Sequence, residues 1–155
     1  MKTPLDAEAY YNRAMSKLQQ GDFSGAIADC NKSIGINPNF FVVYYVRGLS
    51  KNDIEDYNGA IADFTKAIEI EPNFIMAYSN RAGAKKALED YNGAIADFTK
   101  SIEVNPHDAR AMGDHALATV YNDRGICKKE LEDYDGAIAD YDKAIELDPS
   151  FEGAN

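Results

Sequence analysis

The chain has 155 residues, 45% of them apolar in type, enough for one core and a single domain. Its 16 Lys and Arg stand against 26 Asp and Glu, a net charge of -10 and a pI of about 4.6, which repels phosphate backbones and anionic lipid heads and argues against nucleic-acid or membrane-surface binding. No stretch approaches the roughly 20 apolar residues of a membrane span, and the opening MKTPLDAEAYYNRAM lacks the apolar core of a secretory signal, so the expected setting is soluble and cytoplasmic.

Residues 7–20, AEAYYNRAMSKLQQ, place Tyr10, Arg13, Ala14 and Lys17 at offsets 0, 3, 4 and 7, one face of a helix. Residues 23–36, FSGAIADCNKSIGI, do the same with Ala26, Ile27, Cys30, Ser33 and Ile34, which makes the pair a helical hairpin. The hairpin then recurs. EDYNGAIADFTK at 55–66 returns unchanged at 89–100, a shift of 34, and extending that shift gives four copies closing at Pro38, Pro72, Pro106 and Pro149, with spacings of 34, 34 and 43. The predicted repeats are 7–40, 41–74, 75–108 and 118–151, with an insertion at 109–117 and tails at 1–6 and 152–155.

Asp22, Asp56, Asp90 and Asp133 stand just before each second helix, where a short carboxylate accepts orphan backbone amides and favours the positive dipole end. The closing prolines cannot continue a helix interior. One hairpin cannot bury its own apolar face, but stacked neighbours form a continuous core, so each copy is packing surface for the next.

These columns resemble the tetratricopeptide repeat. An aromatic opens helix one (Tyr10, Tyr44, Tyr78, Tyr121), followed four positions on by a small residue (Ala14, Gly48, Ala82, Gly125). Helix two begins with an aromatic (Phe23, Tyr57, Tyr91, Tyr134) and carries an alanine (Ala26, Ala60, Ala94, Ala137), then a bulky or soft residue (Cys30, Phe64, Phe98, Tyr141) and a small one (Ser33, Ala67, Ser101, Ala144). The resemblance implies an all-α right-handed superhelix, a solenoid of four helical hairpins, whose concave face is lined by the first helices and binds other proteins. It implies no cofactor and no catalysis.

The chain departs from the family where helix one usually carries a leucine and an aromatic. Here stand Arg13, Arg47, Arg81 and Arg124, then Lys17, Lys51, Lys85 and Lys128, while helix two carries Asp29, Asp63, Asp97 and Asp140. Arg and Lys at i and i+4 share a helix side, so a ladder of ion pairs to the aspartates is expected, with an anion site as the alternative. Cys30 and Cys127 fall three units apart; at about 10 Å between packed helices, that exceeds the roughly 7 Å limit for a disulfide, so both are expected as reduced core residues.

Catalytic arrangements are scarce. The glycines sit singly in NGA, SGA and DGA turns rather than in a phosphate loop, and the acid pairs Glu55-Asp56, Glu89-Asp90 and Glu132-Asp133 recur at turns where capping explains them. His107, Asp108, Asp114 and His115 form a weak metal candidate within HDARAMGDHAL, and exposed polar residues at a helix start are the plainer reading, so no metal is assigned.

Periodicity places Tyr11, Asn12, Met15, Leu18 and Gln19 opposite the core face of the first copy. The second contributes Val42, Tyr45, Val46, Leu49, Asn52 and Asp53, the third Met76, Ser79, Asn80, Gly83 and Lys86, and the fourth Asn122, Asp123, Ile126 and Lys129. The candidate groove, which also includes Val46, therefore has Tyr11, Met15, Val42, Tyr45, Leu49 and Met76 as apolar anchors and Asn12, Asn80, Lys86 and Asn122 as polar selectors. The alternative is that these side chains pack against neighbouring copies. Some family members hold a peptide's terminal carboxylates with Lys, Asn and Arg; Tyr11, Met15, Val42 and Met76 stand where basic residues would be needed, so an apolar or aromatic partner segment with basic residues is expected instead.

The nine extra residues amount to about 2.5 turns. Either the first helix of copy four projects beyond its neighbours or the stack breaks there. The last helix presents Ala137, Ile138, Tyr141 and Ile145 with no following copy, which motivates a second expectation: self-association into a homodimer or oligomer, through end faces or exchange of the last hairpin.

Overall fold

The computed structural model describes residues 5–103 and 113–150, which form eight α-helices and no strand. They are α1 (Ala7–Gln19), α2 (Phe23–Ile36), α3 (Phe41–Asp53), α4 (Tyr57–Ile70), α5 (Ile75–Ala87), α6 (Tyr91–Glu103), α7 (Asp114–Glu130) and α8 (Tyr134–Leu147). The second helices start as expected: Asp22, Asp56, Asp90 and Asp133 each accept a hydrogen bond from the glycine amide three residues on, at 2.9–3.0 Å. Asp6 caps α1 in the same way through Ala9 N–H at 2.7 Å.

The residue before each of these caps is in the left-handed region: Gly21 at φ 78°, and Glu55, Glu89 and Glu132 at 60–63°. Three of the four turns thus accept the Cβ penalty that glycine avoids in the first.

The chain divides into two compact units, Met1–Ala77 and Tyr78–Asn155, with α5 starting in the first and lying mostly in the second. In the first, α1, α2 and α3 close on Ala14, Ala26, Cys30, Val43 and Val46, all essentially inaccessible. A second cluster joins Tyr44, Ala67 and Ala77, with Ile34, Tyr45, Ile68, Ile70 and Phe74 packed around it. In the second unit Ala82, Ala94, Phe98, Val120 and Cys127 form the core, joining α5, α6 and α7.

Small and large residues interlock between the helices of a pair. A Cβ added at Gly48 would lie 2.7 Å from the Phe64 ring, and one at Gly125 the same distance from Tyr141. The packing column therefore demands glycine wherever its partner ring comes this close.

The end of the insertion lengthens the first helix of the fourth copy. Gly113, at φ 88°, precedes α7, which runs for 17 residues against 13 in α1, α3 and α5. The surplus is the turn Asp114–Leu117, about 6 Å of helix, and α7 still packs on α6 through Val120 and Cys127. Residues 109–112 of the insertion, like 152–155 of the C-terminal tail, lie outside the described residues. Cys30 and Cys127 are free and buried in separate clusters.

Candidate functional site

The repeated Arg and Lys columns of the first helices are occupied by the ladder. In each hairpin the arginine donates through Nε and Nη2 to both carboxylate oxygens of the aspartate sixteen residues on, at 2.6–2.9 Å (Arg13–Asp29, Arg47–Asp63, Arg81–Asp97 and Arg124–Asp140). The lysine one turn later adds its Nζ to the same carboxylate at 2.8–3.0 Å. Each guanidinium also lies 5.3–5.6 Å from the ring of the opening tyrosine three residues before it.

A buried carboxylate holding a bidentate arginine and a lysine has its charge matched and its lone pairs used. The Arg13 hydrogen bonds, outweighing burial and aided by Lys17, hold Asp29 down at about 2. Burial would push Asp97 up, but Arg81 and Lys85 together keep it below its ordinary value. The hydrogen bonds to Asp63 raise Arg47 in turn, against its burial. The ladder leaves these arginines no room for a carboxylate from outside on their Nε–Nη2 edge.

A ladder arginine also reaches the second helix before it: Arg47 Nη1 donates to Asn31 Oδ1 at 2.7 Å, and Arg124 Nη1 to Thr99 Oγ1 at 3.0 Å. Register between hairpins is thus written by the third nitrogen of the same side chain.

The expected groove residues divide by unit. In the first, Tyr11, Met15 and Val42 are half-buried against the α1–α2–α3 core, and Tyr45 and Leu49 are also half-buried on α3. Tyr11 meets Phe40 at 5.3 Å between ring centres, and Tyr45 meets Phe74 at 4.8 Å and Phe64 at 5.8 Å. Asn12 is exposed, and Met76 is 39% exposed. Val46 is a correction: at 2% exposure it belongs to the core, because α3 is packed by α2 on one side and α4 on the other and has only a narrow free stripe.

In the second unit Asn80 is half-buried. Lys86, expected to select a ligand, instead pairs with Asp123 at 2.7 Å, tying α5 to α7. Asn122 is also corrected. It is 7% exposed, with an Oδ1 that has no hydrogen-bond partner among the described residues, so it faces inward where Tyr11 and Tyr45 stand in the earlier copies. The rings of Phe40 and Phe74 were missed by helical periodicity since they lie in the loops between repeats; their shared signal is the Pro-Asn-Phe at 38–40 and 72–74.

The remaining chemistry is committed elsewhere. Burial pushes the Cys30 thiol up to about 12 and that of Cys127 to about 11, which removes both as nucleophiles near neutral pH. His115 Nδ1 lies 2.6 Å from Asp148 Oδ2, linking the start of α7 to the end of α8. His107 and Asp108 lie outside the described residues, and no group of three or more His, Cys, Asp or Glu among the described residues is placed to hold a metal ion. No helix among them is long and apolar enough to cross a membrane.

No curated protein sequence matches the chain significantly. Among solved structures, a crystal structure of MamA superposes with a TM-score of 0.84 at 25% identity, over 96% of this chain and 76% of that one. The Arabidopsis OM64 TPR domain gives 0.64 at 26% identity, over 74% and 87%. The first TPR of Spaghetti (RPAP3), bound to the HSP90 peptide SRMEEVD, shares the fold at 0.64 and 22% identity, over 74% and 89%. Family profiles described as tetratricopeptide repeat match residues 7–40, 42–74, 77–108 and 118–151. The chain, all-α and built from four such hairpins, therefore belongs to the tetratricopeptide repeat family of protein–protein interaction scaffolds.

Proposed function

We propose that this scaffold is non-catalytic and takes a partner segment along the face of α1 and α3, with Tyr11, Met15, Val42, Tyr45 and Leu49 as apolar contacts, Met76 beside them and Asn12 as a polar contact. The observation that carries this reading is the run of half-buried aromatic and aliphatic side chains on these helices, of which Tyr11, Met15, Val42 and Tyr45 are packed against the core while keeping an edge in solvent. Anchored rings lose little side-chain entropy on binding, which favours them as contacts.

The partner is an extended or helical segment with apolar or aromatic side chains and basic residues, since a net charge of -10 favours cationic ligands. The related Spaghetti domain is bound to a peptide ending in acidic residues. Here Tyr11, Met15, Val42 and Met76 stand in place of a basic cluster, which supports an apolar preference. The same charge supports a partner that is neither nucleic acid nor membrane, and we place the protein in the cytoplasm.

The test is peptide selection followed by titration calorimetry against wild type and Tyr11→Ala/Met15→Ala. Selection of apolar-basic peptides whose affinity falls at least tenfold in the variant is expected. Preference for acidic peptides, or equal affinity in the variant, overturns the reading.

A further inference from the structure

The outer column of the second helices behaves differently at the end of the chain. Phe23, Tyr57 and Tyr91 are half-buried, as are Ile27, Ile61 and Ile95, and Ile34, Ile68 and Ile102. On α8 the same column is Tyr134, Ile138 and Ile145, exposed to 59, 56 and 42%. It is the longest run of apolar side chains left open on one helix among the described residues, and it lies where inner second helices take up the next hairpin.

Polar chemistry at that face is equally specific. Asp142 occupies the position of Asn31 and Thr99, each of which accepts Nη1 of the next hairpin's arginine. Asp142 is exposed and has no hydrogen-bond or ion-pair partner among the described residues. The column thus ends on a carboxylate with no arginine on it.

The complementary side chain is on α1. Arg13 is the ladder arginine with 46% of its side chain exposed, against 19, 15 and 13% for Arg47, Arg81 and Arg124. Its Nε and Nη2 hold Asp29, and its Nη1 has no acceptor among the described residues. Around it, Ser16 is exposed where Ser50, Ala84 and Cys127 are fully buried. The front of α1 is also one that the chain itself uses: Ala9, Asn12 and Arg13 repeat Ala77, Asn80 and Arg81 of α5, and Ala77 is fully buried against Ala67 and Tyr44.

We propose that the outer face of α8 takes α1 of a second copy, in the register in which α3 packs on α2 and α7 on α6, with Arg13 of one molecule on Asp142 of the other. The contact goes beyond the peptide face and uses none of its apolar side chains. An arginine–carboxylate bond is stronger than the arginine–amide and arginine–hydroxyl bonds it replicates. The two surfaces differ, so the contact is heterologous: each molecule keeps one open head and one open tail, and assembly continues past the dimer.

Light scattering over a concentration range tests this with two blocked variants, Ile138→Glu for the tail and Ser16→Glu for the head. Both sites are exposed, and thermal unfolding checks each fold; Tyr134→Glu blocks the tail a second time should Ile138→Glu misfold. The wild-type mass is expected to climb with concentration past two chains. Each variant alone stays monomeric, their equimolar mixture gives a two-chain complex, and Asp142→Arg weakens wild-type association at least tenfold. A wild type that stays monomeric overturns the proposal. So does a Ser16→Glu protein that still dimerises while Ile138→Glu does not, which assigns a symmetric tail-to-tail contact, and so does association that neither variant changes. Peptide binding is read separately, by calorimetry on the Ile138→Glu protein, so the two readings fail distinguishably; Asn12 is a side chain they share.

Discussion

On α3 the residue after Tyr44 is Tyr45, ringed by Phe64 and Phe74; on α7 the residue after Tyr121 is Asn122, nearly inaccessible and with an unsatisfied oxygen. The first unit adds Tyr11 against Phe40 and Phe41 against Phe74, while the second joins its first helices through Lys86 and Asp123. Yet the ladder has the same geometry in both: Asp63 and Asp140 each receive Nε at 2.9 Å and Nη2 at 2.6 Å. Columns that pack a hairpin together are tied by stacking, and the columns beside them are free to carry aromatic rings in one unit and polar groups in the other. The ladder and the columns beside it are therefore encoded in separate residues of the same helices.

The sharpest way to break the shared part is to remove a ladder carboxylate. Asp63→Ala strands Arg47 and Lys51, each about one-fifth exposed, and should cost about 2–4 kcal/mol by urea unfolding. Asp29→Ala should cost roughly half as much, since Arg13 already sits half in water. Equal and negligible losses would mean that the ladder only decorates the stack.

The packing column comes next. Gly48→Ala drives a Cβ to 2.7 Å from the Phe64 ring and should cost about 1–3 kcal/mol, somewhat offset by alanine's better helix propensity. Adding Phe64→Cys reproduces the Ala14–Cys30 pairing of the first copy and should remove the clash, so the double variant is expected to lose less than the sum of the singles.

Acid tests the first rung of the ladder. Asp29 is held at about 2 in the fold against an ordinary 3.8. A carboxylate with a depressed folded value stabilises fully above its unfolded value and loses that contribution as pH falls through the folded one. Stability should therefore drop between about pH 4 and pH 2, and Asp29→Asn should flatten that part of the curve. An unchanged acid limb would remove Asp29 as its source.

Much of this was legible in the residues. The 34-residue shift gave the hairpins, the Asp-x-x-Gly turns gave the caps, and the Arg-x-x-x-Lys columns gave the ladder with its aspartates, because each depends on neighbours one turn or one hairpin away. Val46, Lys86 and Asn122 were harder. An inner first helix is packed on more than one side, and the Lys86–Asp123 pair joins residues 37 apart across an insertion. A single helix's periodicity specifies neither the width of its free stripe nor its register against the next first helix. Phe40 and Phe74 escaped for a related reason: loop residues have no period, and only comparison of the Pro-Asn-Phe segments brings them together.

The smallest expected effect concerns the turn that differs between copies. Gly21 and Glu89 occupy the same left-handed position, at φ 78° and 60°. An L-residue with a Cβ is disfavoured there by roughly 1–2 kcal/mol, while glycine loses more backbone freedom on folding, by roughly 0.5–1 kcal/mol. Glu89→Gly should therefore stabilise the protein by about 0.5–1 kcal/mol and Gly21→Glu should destabilise it by a similar amount, both read from urea midpoints at constant m. The opposite signs are the informative result: if both substitutions destabilise, the glutamate side chains contribute more to their turns than the backbone conformation costs.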